Sequence, residues 1–397
     1  MRLEATGNLK KLISGYYSDL KKYADSGKPI AWVNVGIPCE IFYAMDIFPF
    51  YVENYGAMLG ARKEAVKYSK FAETDGVSKH TCSYLRSTYG SLLSKEGPIG
   101  KLPEPTILVE TSNSCVTVLS WWRLIEKATN APCFLFDSPM VEYESSGNHL
   151  AYQVSETKRM IRFLEEKTGK RFDLNRLKEV VKISNEGKRL WRETMELRTN
   201  HPSPLTGADL FTHMFPMVAL RGTEQYLEHL RMLYKETKER IKRKEFPVAK
   251  EKHRFLWDNL PIWHDLRLFE ELAKKGINFV TDTYTQAWGD KFMGEVSLDD
   301  PIKGLAYYTG GGFLNVHIKK RLAVLLDIIK LYDVDGVVFH ADRSCKSYSL
   351  IQVQLADQLR QNGIPSIIIE ADHNDTRDYN RDSIIARIET LSEMGER

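Results

Sequence analysis

Three of the five cysteines share a setting that suits metal chemistry. Cys115 closes the run Thr111-Ser112-Asn113-Ser114-Cys115, and Cys345 closes Ala341-Asp342-Arg343-Ser344-Cys345. Each follows an apolar run that reads as a parallel strand and stands where a helical pattern begins. Cys82, in His80-Thr81-Cys82-Ser83, also opens a helical pattern after a polar loop. A helix N-terminus favours the thiolate, the form that soft metal ions and iron–sulfur clusters need, and nearby hydroxyl and N–H groups can hydrogen-bond to sulfur. The three cysteines are therefore expected to form one thiolate site shared by two parts of the chain. Three thiolates on a cubane cluster would leave its fourth position open for a substrate. No CxxC pair occurs with the spacing of a zinc ribbon or a ferredoxin. Cys39, in a first helical turn, and Cys133, inside a predicted strand, read as core thiols.

Other groups could join such a site. Glu53, in Tyr51-Val52-Glu53-Asn54, falls at a strand end facing the same crevice, where a carboxylate can move protons. Asp372-His373-Asn374-Asp375 resembles a divalent-metal or acid–base cluster, although such runs more often serve turns and caps. Gly310-Gly311-Gly312 precedes a helix predicted from Leu314, and its backbone could accept a phosphate. Neither GxGxxG nor GxxxxGK[ST] is present, and no HExxH spacing or Ser-His-Asp order appears.

The elements that must position these groups follow from the apolar pattern. Runs rich in Val, Ile and Phe alternate with helical stretches at both ends of the chain, the signature of an α/β protein with parallel sheets. The predicted strands are Pro29–Val35, Ile47–Val52, Thr106–Glu110 and Pro132–Phe136 in the first part, then Arg254–Asn259, Ile277–Asp282, Gly336–His340 and Pro365–Glu370 in the last. Four strands answer four, and the cysteine turns occupy matching places, so two similar open-sheet domains are expected. Between them, Tyr152 to Glu245 carries no strand pattern and reads as helices. The expected domains are residues 1–150 with two of the cysteines, a helical domain at 151–250, and 251–397 with the third cysteine.

The chain has 397 residues, 43% hydrophobic and 27% charged, which is room for two or three globular domains and excludes a disordered or collagen-like chain. Lys and Arg number 56 against 53 Asp and Glu. That near balance supplies no field for nucleic acid or an anionic membrane, so neither partner is expected. No apolar run approaches the roughly 18 residues of a membrane span, and Met1 to Ala5 does not lead into a signal-peptide core. An odd, scattered cysteine count fits no disulfide framework. A cytoplasmic location is expected.

With these residues in view the chain resembles the 2-hydroxyacyl-CoA dehydratase and benzoyl-CoA reductase family along nearly its whole length. The resemblance rests on Trp32-Val33-Asn34-Val35-Gly36-Ile37-Pro38-Cys39-Glu40, Val52-Glu53-Asn54, Cys82-Ser83, Ser114-Cys115, the Asp335 to Lys346 segment, Gly363-Ile364-Pro365 and Glu370-Ala371-Asp372-His373-Asn374-Asp375. It implies two flavodoxin-like domains plus a helical one, with a [4Fe-4S] cluster held by Cys82, Cys115 and Cys345. It also implies a second, homologous dehydratase subunit, an ATP-dependent iron–sulfur activator that injects one electron, and an acyl-CoA substrate that loses its 2-hydroxyl through a ketyl radical. Arg221-Gly222-Thr223 and the Asp-Arg-Ser-Cys turn look like the α-like, substrate-handling subunit, in which Glu53 would handle protons. Related subunits often carry a serine in the loop after the first strand. Here Asn34 stands in that loop as the candidate polar contact. Ring reduction of an aromatic thioester and a non-catalytic, electron-transferring role are the alternatives that the resemblance leaves open.

Overall fold

The computed structural model of the chain describes residues 3–139, 147–289, 294–310, 314 and 316–394. Two four-stranded sheets, all of whose strand pairs are parallel, form its framework. The first contains β1 (Ile30–Val33), β2 (Phe48–Tyr51), β3 (Ile107–Thr111) and β4 (Cys133–Phe136) in the order β2-β1-β3-β4. The second contains β5 (His253–Asp258), β6 (Ile277–Asp282), β7 (Gly336–Asp342) and β8 (Ser366–Ala371) in the matching order β6-β5-β7-β8. Each of the eight predicted strands is present with its ends moved by at most two residues. This is the flavodoxin-like arrangement, in which the order reverses between the first and third strands of each sheet and ligands bind outside the strand ends there.

Helices cover both faces, so the strands are mainly apolar runs, with polar residues such as Glu110, Arg254 and Asn278 buried among them. Every residue of β1, β2, β3 and β6 is buried, as parallel sheets require. Trp32 pairs in register with Leu108, and Trp257 with Val338. Between β4 and β5 the described residues are helical or irregular, with long helices at Gly147–Thr168, Leu174–Glu196 and Glu224–Arg243. Asp173 and Thr223 cap the last two by accepting backbone N–H bonds. The apolar faces of these helices merge with the core of the first sheet. The two short helices Gly207–Thr212 and Met214–Ala219 join the sheets: Phe211 packs into the core of the second, while Met214 and Phe215 pack into that of the first.

The N-terminal helix Glu4–Asp25 lies over the first sheet and against Glu224–Arg243. The Glu236 carboxylate accepts from the N–H groups of Glu4 (2.8 Å) and Ala5 (3.0 Å), satisfying two of the donors that a helix start leaves open. The helix predicted from Leu314 runs from Ile318 to Tyr332, because His317 caps it by accepting from Lys319 N–H. Gly311 and Gly312 of the triple-glycine turn lie outside the described residues.

Two helices near the cysteines cross with no room to spare. A Cβ on Gly90, in helix Ser83–Ser94, would stand 1.9 Å from the carbonyl oxygen of Tyr68 in helix Ala65–Thr74. Gly90→Ala must push the helices apart and should cost about 2–3 kcal/mol, at the upper end for overpacking because backbone has to move. Gly15, inside the first helix, has open space around it, so Gly15→Ala should stabilise by roughly 0.5–1 kcal/mol. Denaturant titration of the two variants measures both signs.

Candidate functional site

All three cysteines are helix N-caps: Cys82 for Ser83–Ser94, Cys115 for Val116–Thr129 and Cys345 for Lys346–Ser349. Cys115 follows β3 and Cys345 follows β7, so they take equivalent places at the strand ends of the two sheets. The three side chains line a single cavity of about 520 Å³, together with Val35, Gly36, Glu53, Asn113 and His373. Cys39 is buried against Glu40 and the Arg221 carbonyl, and Cys133 accepts from Arg123 Nη2 at 3.1 Å. Neither lines the cavity. Burial pushes both thiols up to about 12 and pushes the Cys345 thiol well up too. In the metal-free chain the helix start alone therefore does not hold Cys345 as the expected thiolate, and it is the place on the cavity wall that sets the three cysteines apart.

The two halves meet around one carboxylate. Asp342, the last residue of β7, turns Oδ1 to the N–H groups of Ser344 (3.0 Å) and Cys345 (3.3 Å), which shapes the turn carrying Cys345. Its Oδ2 receives His373 Nδ1 at 2.5 Å, and His373 Nε2 lies 2.9 Å from Ser83 Oγ, beside Cys82 in the other half. Ser83 Oγ is also 3.1 Å from Ser344 Oγ. Burial alone would lower the His373 pKa, but the adjacent Asp342 carboxylate overrides it and holds the imidazole well above its ordinary value, with Cys82 adding to the effect. Desolvation would raise Asp342; His373 reverses that and holds it well below the usual carboxylate range. Asp, His and Ser stand in line as in a hydrolase triad, yet Ser83 is completely buried and absent from the cavity wall. The line is a structural tie, and a protonated His373 has no lone pair to offer a metal.

Further bonds close the same seam. Arg86, 1% exposed, donates to Asp375 (2.8 Å) and Glu73 (2.9 Å), and Asn374 donates to the Gly56 carbonyl at 2.6 Å. Ser347 Oγ donates to the Ser114 carbonyl at 3.0 Å, fastening the Cys345 turn to the Cys115 turn. Within Asp372–Asp375 the sequence signal divides: Asp372 caps its own turn by accepting from Asn374 and Asp375 N–H, while His373, Asn374 and Asp375 reach across to the first half. Of the Asp372–Asp375 run that the sequence offered as a metal or acid–base cluster, His373 is the residue that reaches the cavity wall.

Glu53 is the second residue of helix Val52–Ala61, with no loop between it and β2. Its Oε1 accepts from Val35 N–H at 3.1 Å, and among the described residues Oε2 has no partner. Burial, partly offset by backbone N–H bonds, raises its pKa to about 8. Asn34 is completely buried and does not line the cavity. Its Oδ1 accepts from Thr111 N–H at 2.9 Å and its Nδ2 donates to the Val35 carbonyl at 2.8 Å, so it braces the loop after β1 against the end of β3. Gly36, which lines the cavity beside Val35 in that loop, has φ +99°, and a Cβ there would sit 3.0 Å from Asn113 Oδ1. The second sheet repeats the brace, where Asn259, directly after β5, donates to the His340 carbonyl at 2.8 Å.

The arrangement is that of a thiol-lined α/β cavity shared by two matched sheets. The profile described as 2-hydroxyglutaryl-CoA dehydratase, D-component, matches residues 34–394, and the chain belongs to that family. It is 29% identical to the (R)-2-hydroxyisocaproyl-CoA dehydratase alpha subunit of Clostridioides difficile, over 99% of this chain and 96% of the relative. It is 28% identical to the (R)-phenyllactyl-CoA dehydratase alpha subunit of Clostridium sporogenes, over 93% and 90%. A benzoyl-CoA reductase subunit of Thauera aromatica is 27% identical over 97% and 93%. Among the described residues no helix is long and apolar enough to cross a membrane.

Two substitutions test these electrostatics in chain purified without metal. Asp342→Asn strips a buried cation of its partner and should destabilise by about 3–5 kcal/mol. The His373 contribution is complete below its unfolded pKa near 6.5 and fades as pH rises through the raised folded value. That of Asp342 is complete above about 4 and fades towards acid, so the loss should be largest between about pH 4 and 6.5. Glu53→Gln should do the opposite. The native carboxyl keeps a proton that the unfolded chain releases between about pH 4.3 and 8, so wild-type stability falls across that window. The variant should gain on the order of 3 kcal/mol at pH 7 and nothing below about pH 4. Thermal or urea unfolding across pH reads both.

Proposed function

We propose that the chain is the cluster-bearing, substrate-handling subunit of a cytoplasmic 2-hydroxyacyl-CoA dehydratase, working with a second, homologous subunit and an ATP-dependent iron–sulfur activator. The observation that carries this reading is the meeting of Cys82, Cys115 and Cys345, from both halves, on one cavity wall with Glu53. Three soft thiols facing one space fit a [4Fe-4S] cluster with one open position. When bound, such a cluster would supply one-electron chemistry and an iron to which substrate oxygen could bind. The names of the relatives as dehydratase alpha subunits support the reading and its partner.

The side chains can perform the acid–base half of the reaction. Losing water from a 2-hydroxyacyl thioester requires that the departing hydroxyl take a proton and that the β-carbon give one up. Glu53, protonated near neutral pH and with Oε2 unpartnered in the cavity among the described residues, can donate the first and, once ionised, receive the second, ending as it began. Val35 N–H holds Oε1 and so orients the donor. Asn34 and Gly36 set the loop that supplies that N–H, which makes Asn34 a positioning residue. Tyr84, Trp263 and Tyr284 add aromatic wall to the cavity.

Likeness to a benzoyl-CoA reductase chain favours ring reduction as the second reading. Anaerobic incubation with activator, ATP and reductant separates the two, since a 2-enoyl-CoA product supports the dehydratase and a cyclic diene from benzoyl-CoA supports the reductase. Protein purified without oxygen should hold about four irons and four sulfides per chain, and Cys115→Ser or Cys345→Ser should lose them. Glu53→Gln should keep the iron and lower kcat by about 10²-fold or more. Retained iron in both cysteine variants defeats the cluster assignment. Undiminished turnover in Glu53→Gln removes the carboxyl from the reaction and leaves room for a non-catalytic, electron-transferring role.

A further inference from the structure

The cavity reaches well past the cysteines. One arm runs between the first helix, helix Val52–Ala61 and the turn of short helices, and its walls include Leu9, Ile13, Met58, Phe211, Phe215 and Val218. Two hydroxyls of this arm are already engaged, Thr6 Oγ1 lying 3.4 Å from His213 Nε2 and Thr212 Oγ1 donating to the Ala208 carbonyl at 2.7 Å. The buried Tyr17 hydroxyl has no hydrogen-bond partner among the described residues and is a polar group left open on a wall that is otherwise mainly apolar. Lys10, an exposed residue of the first helix, is besides Arg221 the one arginine or lysine among the described lining residues and stands at the solvent side of the arm.

A second feature bears on charge. Among the described lining residues Arg221 is the one buried arginine or lysine. Its Nε is 3.2 Å from Glu40 Oε1, its Nη1 donates to the Met217 carbonyl at 3.0 Å, and its guanidinium lies over the rings of Trp288 and Tyr308 at 5.4 Å each. Glu40 is itself completely internal and also receives Ser184 Oγ at 2.6 Å. The charge of Arg221 is thus matched within the protein, and a second carboxylate entering the cavity would meet no unmatched buried cation among the described residues while losing its water.

We propose that the acyl group taken by this site is bulky, apolar and uncharged, with an aryl or branched alkyl side chain, and that short acyl groups and acyl groups ending in a carboxylate are poor ligands. The thioester itself rests on the dehydratase reading, whereas the acyl preference rests on the cavity walls. Each methylene buried in the arm is worth about four-fold in affinity. Ala57 and Ala61, one helical turn apart on Val52–Ala61, are small residues on this helix's side of the arm and leave it width.

Equilibrium binding to the assembled, anaerobically purified protein, without activator or ATP, tests this. The probes are four (R)-2-hydroxyacyl-CoA thioesters whose side chains are benzyl, isobutyl, methyl and carboxyethyl. The benzyl and isobutyl thioesters should bind at least about ten-fold more tightly than the methyl and carboxyethyl ones. Ala57→Leu should erase about ten-fold of that preference and leave the methyl thioester unaffected. Ala61→Phe repeats the test nearer the mouth should Ala57→Leu fail to fold. Equal binding of all four, or preference for the methyl or carboxyethyl thioester, overturns the proposal and leaves the dehydratase reading standing. If no thioester binds, the dehydratase reading falls and the acyl preference falls with it.

Discussion

The ion pair between Asp342 and His373 is the constraint around which the site is built. One carboxylate shapes the turn of Cys345 with one oxygen and holds His373 with the other, and His373 reaches Ser83 beside Cys82. Both partners are fully buried. Taking two charges out of water costs several kcal/mol each, so such a pair adds little net stability against an apolar replacement, while breaking it is expensive. What it supplies is registry. The two halves can be apposed by apolar packing in several ways, but only one apposition satisfies Asp342, His373, Ser83 and Ser344 together. The neighbouring Arg86–Asp375 pair imposes the same demand on the same helix.

That registry explains why cysteines far apart in the chain share a wall. Each sheet by itself creates a crevice where its strand order reverses, outside the ends of β1 and β3 or of β5 and β7. An asparagine after each first strand braces the crevice against the strand that leads to a cysteine, Asn34 by accepting from Thr111 N–H in β3 and Asn259 by donating to the His340 carbonyl in β7. One crevice presents Cys115 and the other presents Cys345. The seam turns them towards each other, and Ser347 fastens the two turns directly. Cys82 belongs to neither strand end. It enters from the start of Ser83–Ser94, the helix that the buried ion pairs clamp to the second half.

The eight strands were legible because parallel strands buried on both faces must be continuous apolar runs, and turn residues bound each of them. The cysteine turns were legible for a related reason, since a strand end followed by a helix start is a local pattern. The roles within Asp372–Asp375 were not. Its acidic and amide groups suit a turn, a metal or a seam equally well, and the partners that decide, Ser83 and Arg86, lie 290 and 289 residues away. The acyl arm was hidden likewise, because its walls come from segments as distant as Leu9, Met58 and Phe215. Asn34 illustrates a subtler limit. Its place in the loop was visible, but its direction, inward to Thr111 and away from the cavity, depends on a hydrogen bond across strands.

Glu53 shows how the fold sets a side chain's chemistry against its local preference. A carboxylate in the first turn of a helix is ordinarily stabilised by the helix dipole, by roughly 0.3–1 kcal/mol. Full burial acts the other way and is larger, since removing an ionised carboxylate from water costs several kcal/mol unless it is paired. Here the compensation comes from backbone N–H groups, including that of Val35, and the proton is retained to about pH 8. The same burial that lowers stability at neutral pH therefore keeps an acid in a cavity that would otherwise hold an inert carboxylate. A surface glutamate at that helix position would make the protein more stable and leave it without the proton that the departing hydroxyl requires.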